Sequence, residues 1–331
     1  MGIKKELIIS MKKTITFLTA VLAVTLSLFS INLESKSAKA DELPVVTLGS
    51  SLDSKQKAGT LKTLTDPLNG ASYQTITITG SDLVKYLNPS GDNFTTSSGV
   101  WSSAMIQKTS SGSGINVHIL DYNGKNNITS ITANQYKNAA LTAGISDANI
   151  YVTSATPIDG SGALAGVYAA YSKDGQALNQ KQVNAAQDEM GTLSGITKQN
   201  EGKNGYSDAQ LNNAVASAKK DMAKIGNNIS NSQIRDIVNN QININHLGNT
   251  INNNQKNQIV NVLVEVRDSG ALKKGNFRDQ AAALSAGIQK HSKGIFDKIN
   301  TPENRNWFEQ IWNSITGFFG HLFGGAIILG K

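Results

Sequence analysis

The residues able to do chemistry are few and scattered. The 331-residue chain has no Cys, which excludes disulfides, thiolate metal sites, a Cys nucleophile and anchoring through an acylated Cys. Four His are present, at 118, 246, 291 and 321. None falls in the H-x-x-x-H or H-E-x-x-H spacing that puts two imidazoles on one helix face, so a zinc hydrolase is not expected. His118 alternates with Val117 and Ile119 and reads as a His on the open face of a sheet. Ser102 and Ser103 precede Ala104, and Ser161 lies in Gly160-Ser161-Gly162; neither forms the G-x-S-x-G elbow of a serine hydrolase. Gly160 to Ala163 at a helix start could hold an anion on free N–H groups. No Lys follows these glycines, and plain capping and close packing is the simpler reading. Asp121-Tyr122-Asn123-Gly124 opens like a calcium loop, but Lys125 and Asn126 follow and the closing Glu is missing, leaving an Asn-Gly turn. Asp159, Asp188 and Glu189 stand in no recognised context. No catalytic residue, metal ligand or cofactor site is therefore assigned.

The elements that would position these groups change character along the chain. The first half alternates strand and helix patterns: Val45 to Leu48 as a strand, Ser51 to Leu64 as a helix capped by Ser51 or Asp53, and Tyr73 to Thr79 as a strand. Val100 to Lys108 and Ile115 to Tyr122 read as two strands of a hairpin across a Ser/Gly link. Thr132-Ala133-Asn134-Gln135 is a capping box, and Gly144 suits the end of its helix. Asn149 to Thr153 is the next strand, and Gly160 to Tyr171 is rich in small residues. Beyond Asn179 the strand pattern stops. Helical stretches follow at Asn179–Leu193, Ser207–Ile225, Ser230–Ile244, Asn253–Asp268 and Phe277–Ile299, with Thr197 to Gly205 as the best linker. The expected fold is α+β: a small mixed sheet with helices in the N-terminal half, then an all-helical C-terminal region.

The ends carry the clearest signals. Met11-Lys12-Lys13, the apolar run Thr14 to Phe29, and Ala38-Lys39-Ala40 before Asp41 have the order of a cleavable export signal, with Ala38 and Ala40 as the small residues of the cleavage rule. Met11 is a candidate true start. The first 40 residues hold six Lys and two Glu, so the formal charge of +7 falls to +3, with 25 basic and 22 acidic residues, once they are removed. That mild, spread charge argues against nucleic acid as a partner. A Cys-free exported chain fits a Gram-positive envelope. At the other end, Trp307, Phe308, Ile311, Trp312, Ile315, Phe318, Phe319, Leu322 and Phe323 recur at steps of three and four, an amphipathic aromatic helix. It either packs on the body, lies on a membrane surface or meets an envelope partner protein. The expected organisation is a signal peptide at 1–40, an α/β domain at 41–175, a helical region at 176–300 and the aromatic helix at 301–331. Oligomeric state is not legible.

Several segments together resemble the YpuA-like family of secreted Gram-positive bacterial proteins, a domain of unknown function (1002). They are Val45-Val46-Thr47-Leu48-Gly49, Ser81 to Leu87, Ser102-Ser103-Ala104, Gly112 to Val117, and Asn127-Ile128-Thr129 through Tyr136 to Gly144. The match continues into Ala155-Thr156-Pro157-Ile158 and Gly160 to Tyr171. The resemblance implies secretion, an α/β N-terminal part and a helical continuation. It implies no catalytic residues. The leading expectation is a non-enzymatic cell-envelope or extracellular binding or scaffolding protein; a secreted hydrolase acting on cell-wall or extracellular polymer is the alternative.

Overall fold

A computed structural model describes residues 43–173 and 177–298. The strands are β1 (Val45–Gly49), β2 (Gln74–Ile78), β3 (Ser102–Lys108), β4 (Ile115–Ile119) and β5 (Ala148–Ser154). The helices of the first half are α1 (Ser54–Thr65), α2 (Gly80–Tyr86), α3 (Ala133–Ala143) and α4 (Ser161–Lys173). Then come α5 (Gln180–Asn200), α6 (Asp208–Ile225), α7 (Asn231–Ile244), α8 (Asn253–Asp268) and α9 (Phe277–His291). The α+β expectation holds. Local signals set most helix starts. Asp53, Thr132, Ser230 and Asn252 each accept an N–H from the residue three positions on and close a reciprocal capping box, which satisfies donors a helix start leaves open.

The strands form one mixed sheet in the order β2-β1-β3-β5-β4. β1 runs parallel to β2 and β4 parallel to β5, while β3 is antiparallel to both β1 and β5. The hairpin expected between β3 and β4 is therefore wrong: β5 lies between them. The physical reason is the α3 crossover, which returns the chain parallel to β4. The Ser/Gly link instead wraps over the start of β5. The N–H of Thr109 donates to the Asp147 carbonyl, and the N–H of Gly114 donates to Asp147 Oδ1 at 2.9 Å.

Alternation sends β-strand side chains to two unequal layers. On the inner face Val45, Ala104, Ile106, Val117, Ile150 and Val152 join a core that continues through α3, α4 and the later helices. α4 comes very close to the sheet because of its glycines. A Cβ at Gly166 would sit 2.3 Å from Thr47 Oγ1, and one at Gly162 would sit 2.8 Å from Val100 Cγ1. On the outer face Leu61 and Leu64 of α1, with Leu68 in the turn that follows it, pack on Val46, Leu48 and Met105. The segment 197–205, expected as a linker, begins as the last turn of α5. α9 ends at His291, short of the expected Ile299, and a four-residue helix follows at Lys293–Phe296.

The Asn-rich half uses its amides inside. α6 is the central helix, buried almost all round, yet carries Asn212, Asn213, Ser217, Lys219 and Asp221 as buried residues. Each finds a partner, as buried polar groups must. Asn213 Nδ2 donates to Asn245 Oδ1 at 2.8 Å, Gln241 Nε2 to Asp221 Oδ2 at 2.8 Å, and Ser285 Oγ to Asn213 Oδ1 at 2.8 Å.

Candidate functional site

The strand register builds a polar surface on the part of the outer sheet face that α1 leaves uncovered. Across β3, β5 and β4, Gln107 lies opposite Asn149, which lies opposite Asn116. One row along, Met105 lies opposite Tyr151, which lies opposite His118. Asn116 Nδ2 donates to Asn149 Oδ1 at 3.3 Å. The His118 and Tyr151 rings stack, with centroids 5.1 Å apart and planes 19° apart. Tyr151 packs one side on the cluster under α1, while His118 is exposed. Thus Tyr151 bridges the apolar cover and the open edge. The sequence placed His118 on an open sheet face, and it is there. The amide row and the Tyr151 stack were not foreseen, because they depend on β5 lying beside β4.

Next to these rows, a cleft of about 400 Å³ runs between α1 and the chain after β4. It is lined by Gly59, Lys62, Asp66, Leu120, Asp121 and Asn123, among others. Leu120 follows His118 by two positions and continues the same face. The Tyr122 side chain lies against α1 here: a Cβ at Gly59 would sit 2.6 Å from its hydroxyl, which would have to shift. The expected Asn-Gly turn is present: Asn123 and Gly124 both have positive φ, and Tyr122 pairs with Lys125. Asp66 and Asp121 both face this cleft but are exposed.

Burial, then the Lys137 ammonium, then His291 lower the pKa of His118 below its ordinary value. That shift favours the neutral ring, which offers one donor and one acceptor. The amides beside it also both donate and accept. Such a surface suits a ligand with many neutral hydroxyl and amide groups, with a ring face for stacking.

The other groups singled out in the sequence have structural work. Ser102 Oγ accepts the N–H of Ala163, and Asp159 Oδ1 that of Ser161, both at 2.9 Å. The N-terminus of α4 is thus satisfied by the protein's own oxygens, which leaves the capping reading. Ser103 Oγ accepts the N–H of Gly49 at 3.0 Å. Glu189 is wholly buried and pairs with Lys219 Nζ at 2.5 Å, while Thr142 Oγ1 donates to it at 2.5 Å. Lys219 also donates to the Asn138 carbonyl at 2.9 Å. From Asn138 the network runs through Asn212 to Asp208, which accepts from Thr132 and Asn134. Asp188 on α5 meets Glu265 on α8, and burial followed by the Asp188 charge pushes Glu265 up to about 7.

The cleavage-site residues Ala38, Ala40 and Asp41 lie outside the described residues. So do Trp307, Phe308, Ile311, Trp312, Ile315, Phe318, Phe319, Leu322 and Phe323. Among the described residues no group of three or more acidic or His side chains is placed to hold a metal ion. No described helix is long and apolar enough to cross a membrane.

The comparisons agree with one another. The model of a family described as "Protein of unknown function (DUF1002)" matches residues 48–284. The chain is 33% identical over 151 residues to a protein of Bacillus subtilis (strain 168) described as "Uncharacterized protein YpuA". The match spans 45% of this chain and about half, 49%, of the relative. No solved structure matches.

Proposed function

The chain belongs to the DUF1002 family of proteins of unknown function, and from that premise we propose that it is an exported binding protein of the bacterial envelope. Its ligand is a neutral, hydroxyl-rich polymer of the glycan class. The observation that carries this reading is the open outer sheet face, where Gln107, Asn149 and Asn116 form a row beside the stacked Tyr151 and His118. Paired donors and acceptors next to ring faces recognise sugars without needing net charge. The export pattern ending at Ala38-Lys39-Ala40 supports a location where such polymers occur. The aromatic stretch Trp307 to Phe323 supports retention at the membrane or on an envelope partner.

The test is retention of purified residues 41–331 on insoluble wall glycan. Saturable retention is expected, and it should fall in Gln107→Ala/Asn116→Ala. Equal retention of the wild type and this variant overturns the reading. A second reading, hydrolysis of the same class of polymer, draws on Asp66 and Asp121 lining one cleft. It is weakened by their exposure, since a general acid needs a carboxyl held protonated by burial or a close like charge. Release of soluble fragments that Asp66→Asn and Asp121→Asn both abolish would favour it.

A further inference from the structure

Three helices bring an amine, a carboxamide and a carboxyl group together inside the body. Lys219 stands on α6, Asn138 on α3 and Glu189 on α5, and all three residues are wholly buried. Glu189 Oε1 lies 2.5 Å from Lys219 Nζ. The same Nζ donates to Asn138 Oδ1 at 3.2 Å and to the Asn138 backbone carbonyl at 2.9 Å. One nitrogen therefore touches both a carboxyl oxygen and the oxygen of a side-chain amide. Both partners are held in place. Thr142 Oγ1 donates to Glu189 Oε2 at 2.5 Å. Asn138 Nδ2 donates to Asn212 Oδ1 at 3.0 Å and to the Asn212 carbonyl at 3.2 Å. Burial lowers the pKa of Lys219, against the opposing pull of Glu189. A buried ion pair is costly to desolvate. Passing one proton from Nζ to Glu189 leaves a neutral carboxylic acid and a neutral amine, whose free lone pair makes it a nucleophile.

We infer that this site joins its own side chains: Lys219 Nζ attacks Asn138 Cγ and forms an amide cross-link between α6 and α3, with Glu189 as the proton carrier. The Nζ–Cγ bond forms and the Cγ–Nδ2 bond breaks. Of the three protons on the Lys219 ammonium, one stays in the new amide, one leaves with Nδ2 as ammonia and one rests on Glu189. No oxidant, reductant or cofactor is consumed. The exchange of an amide for an amine is slow in water. Here fixed contact replaces collision, a positioned carboxyl moves the proton, and complete burial keeps out competing water. The nearer backbone carbonyl is a poorer target. Attack there would have to expel a chain segment that α3 holds in place, whereas the side-chain amide expels a small, free molecule. The cross-link would span 81 positions and tie the α/β half to the helical half. It gives a Cys-free chain a covalent tie that needs no oxidising compartment, independently of what the outer sheet face binds.

The experiment is a tryptic peptide map, by tandem mass spectrometry, of the protein purified after expression of the full chain and incubated folded. The cross-link should join peptide 138–173 to peptide 204–220 and block cleavage after Lys219. The joined peptide should weigh the sum of the two less one ammonia. Succinimide formation at an Asn-Gly turn also loses ammonia, but it joins no peptides. Asn138→Asp should give the same joined peptide, now by loss of water. Asn138→Ala should give only the separate peptides. In Glu189→Gln, which cannot carry the proton, the linking rate should fall about a hundredfold or more. Circular dichroism checks that each variant is folded. If a variant fails to fold, the wild-type map still decides the matter. Folded wild-type protein that yields only the separate peptides, however long it is incubated, overturns the inference. Linking in folded Glu189→Gln at the wild-type rate overturns the role given to Glu189.

Discussion

Replacing Lys219 with Met should be among the most damaging single changes in the helical half. Lys219 and Glu189 have fully buried side chains 2.5 Å apart. Burial lowers the Lys219 pKa, and Glu189 opposes that shift. Met fills much of the space of Lys but leaves Glu189 ionised or forces it to take up a proton. Its remaining donor is Thr142 Oγ1. The Asn138 carbonyl also loses the Lys219 ammonium. Removing one partner of a buried pair costs roughly 3–5 kcal/mol. In a body of this size each kcal/mol moves the melting temperature by about 2–4 °C, so the expected fall is roughly 6–20 °C. Scanning calorimetry or thermal circular dichroism of residues 41–331 reads it. Lys219→Met combined with Glu189→Leu should melt above the single variant, because no buried charge is left unpaired. A single variant within about 1 kcal/mol of wild type refutes the reasoning, since that is the size of an average substitution.

Glu265, pushed up to about 7 from its ordinary 4.5 by burial and then by Asp188, holds a proton in the folded state that the unfolded chain has lost. Stability should therefore rise as pH falls from about 7 toward 4.5, and Glu265→Gln should remove that rise in a pH series of thermal melts. Gly166→Ala puts a Cβ against Thr47 Oγ1 and should cost about 1–3 kcal/mol in urea unfolding, as overpacking does. Asp53→Ala removes the capping box of α1 and should cost about 1 kcal/mol by the same method. Deleting 301–331 should move the protein from the membrane fraction into the medium while its melting temperature holds; a sharp loss of melting temperature would mean that the segment packs on the body.

What the sequence revealed followed the range of the interaction involved. Caps at Asp53 and Thr132 were legible because their partners lie three residues away. The His118 face was legible because strand alternation is local. The β3–β4 hairpin failed because strand pairing is decided at long range: nothing between Thr109 and Gly114 reveals that Asp147, more than 30 residues on, will take both ends of the link. The amide row and the Tyr151 stack were hidden for the same reason, since they exist only once β5 lies beside β4. By propensity Asn is cap and turn material. Several Asn residues instead form a buried network around α6, where Asn213 meets Asn245 and Asn212 meets Asn138. No local pattern distinguishes a buried, paired Asn from an exposed one. Lys219 and Glu189, 30 positions apart, likewise had no signature of a pair.

The central claim is that the outer sheet face binds a hydroxyl-rich envelope polymer. Its most direct measurement is the retention isotherm of residues 41–331 on purified insoluble wall glycan, compared with Gln107→Ala/Asn116→Ala/His118→Ser. These changes lie on the open face, so circular dichroism should be unchanged. The account predicts saturable retention by the wild type and at least about a tenfold weaker isotherm for the triple variant, as expected when more than one polar contact is lost. Superimposable isotherms for two folded proteins, or no retention of the wild type at all, would contradict it.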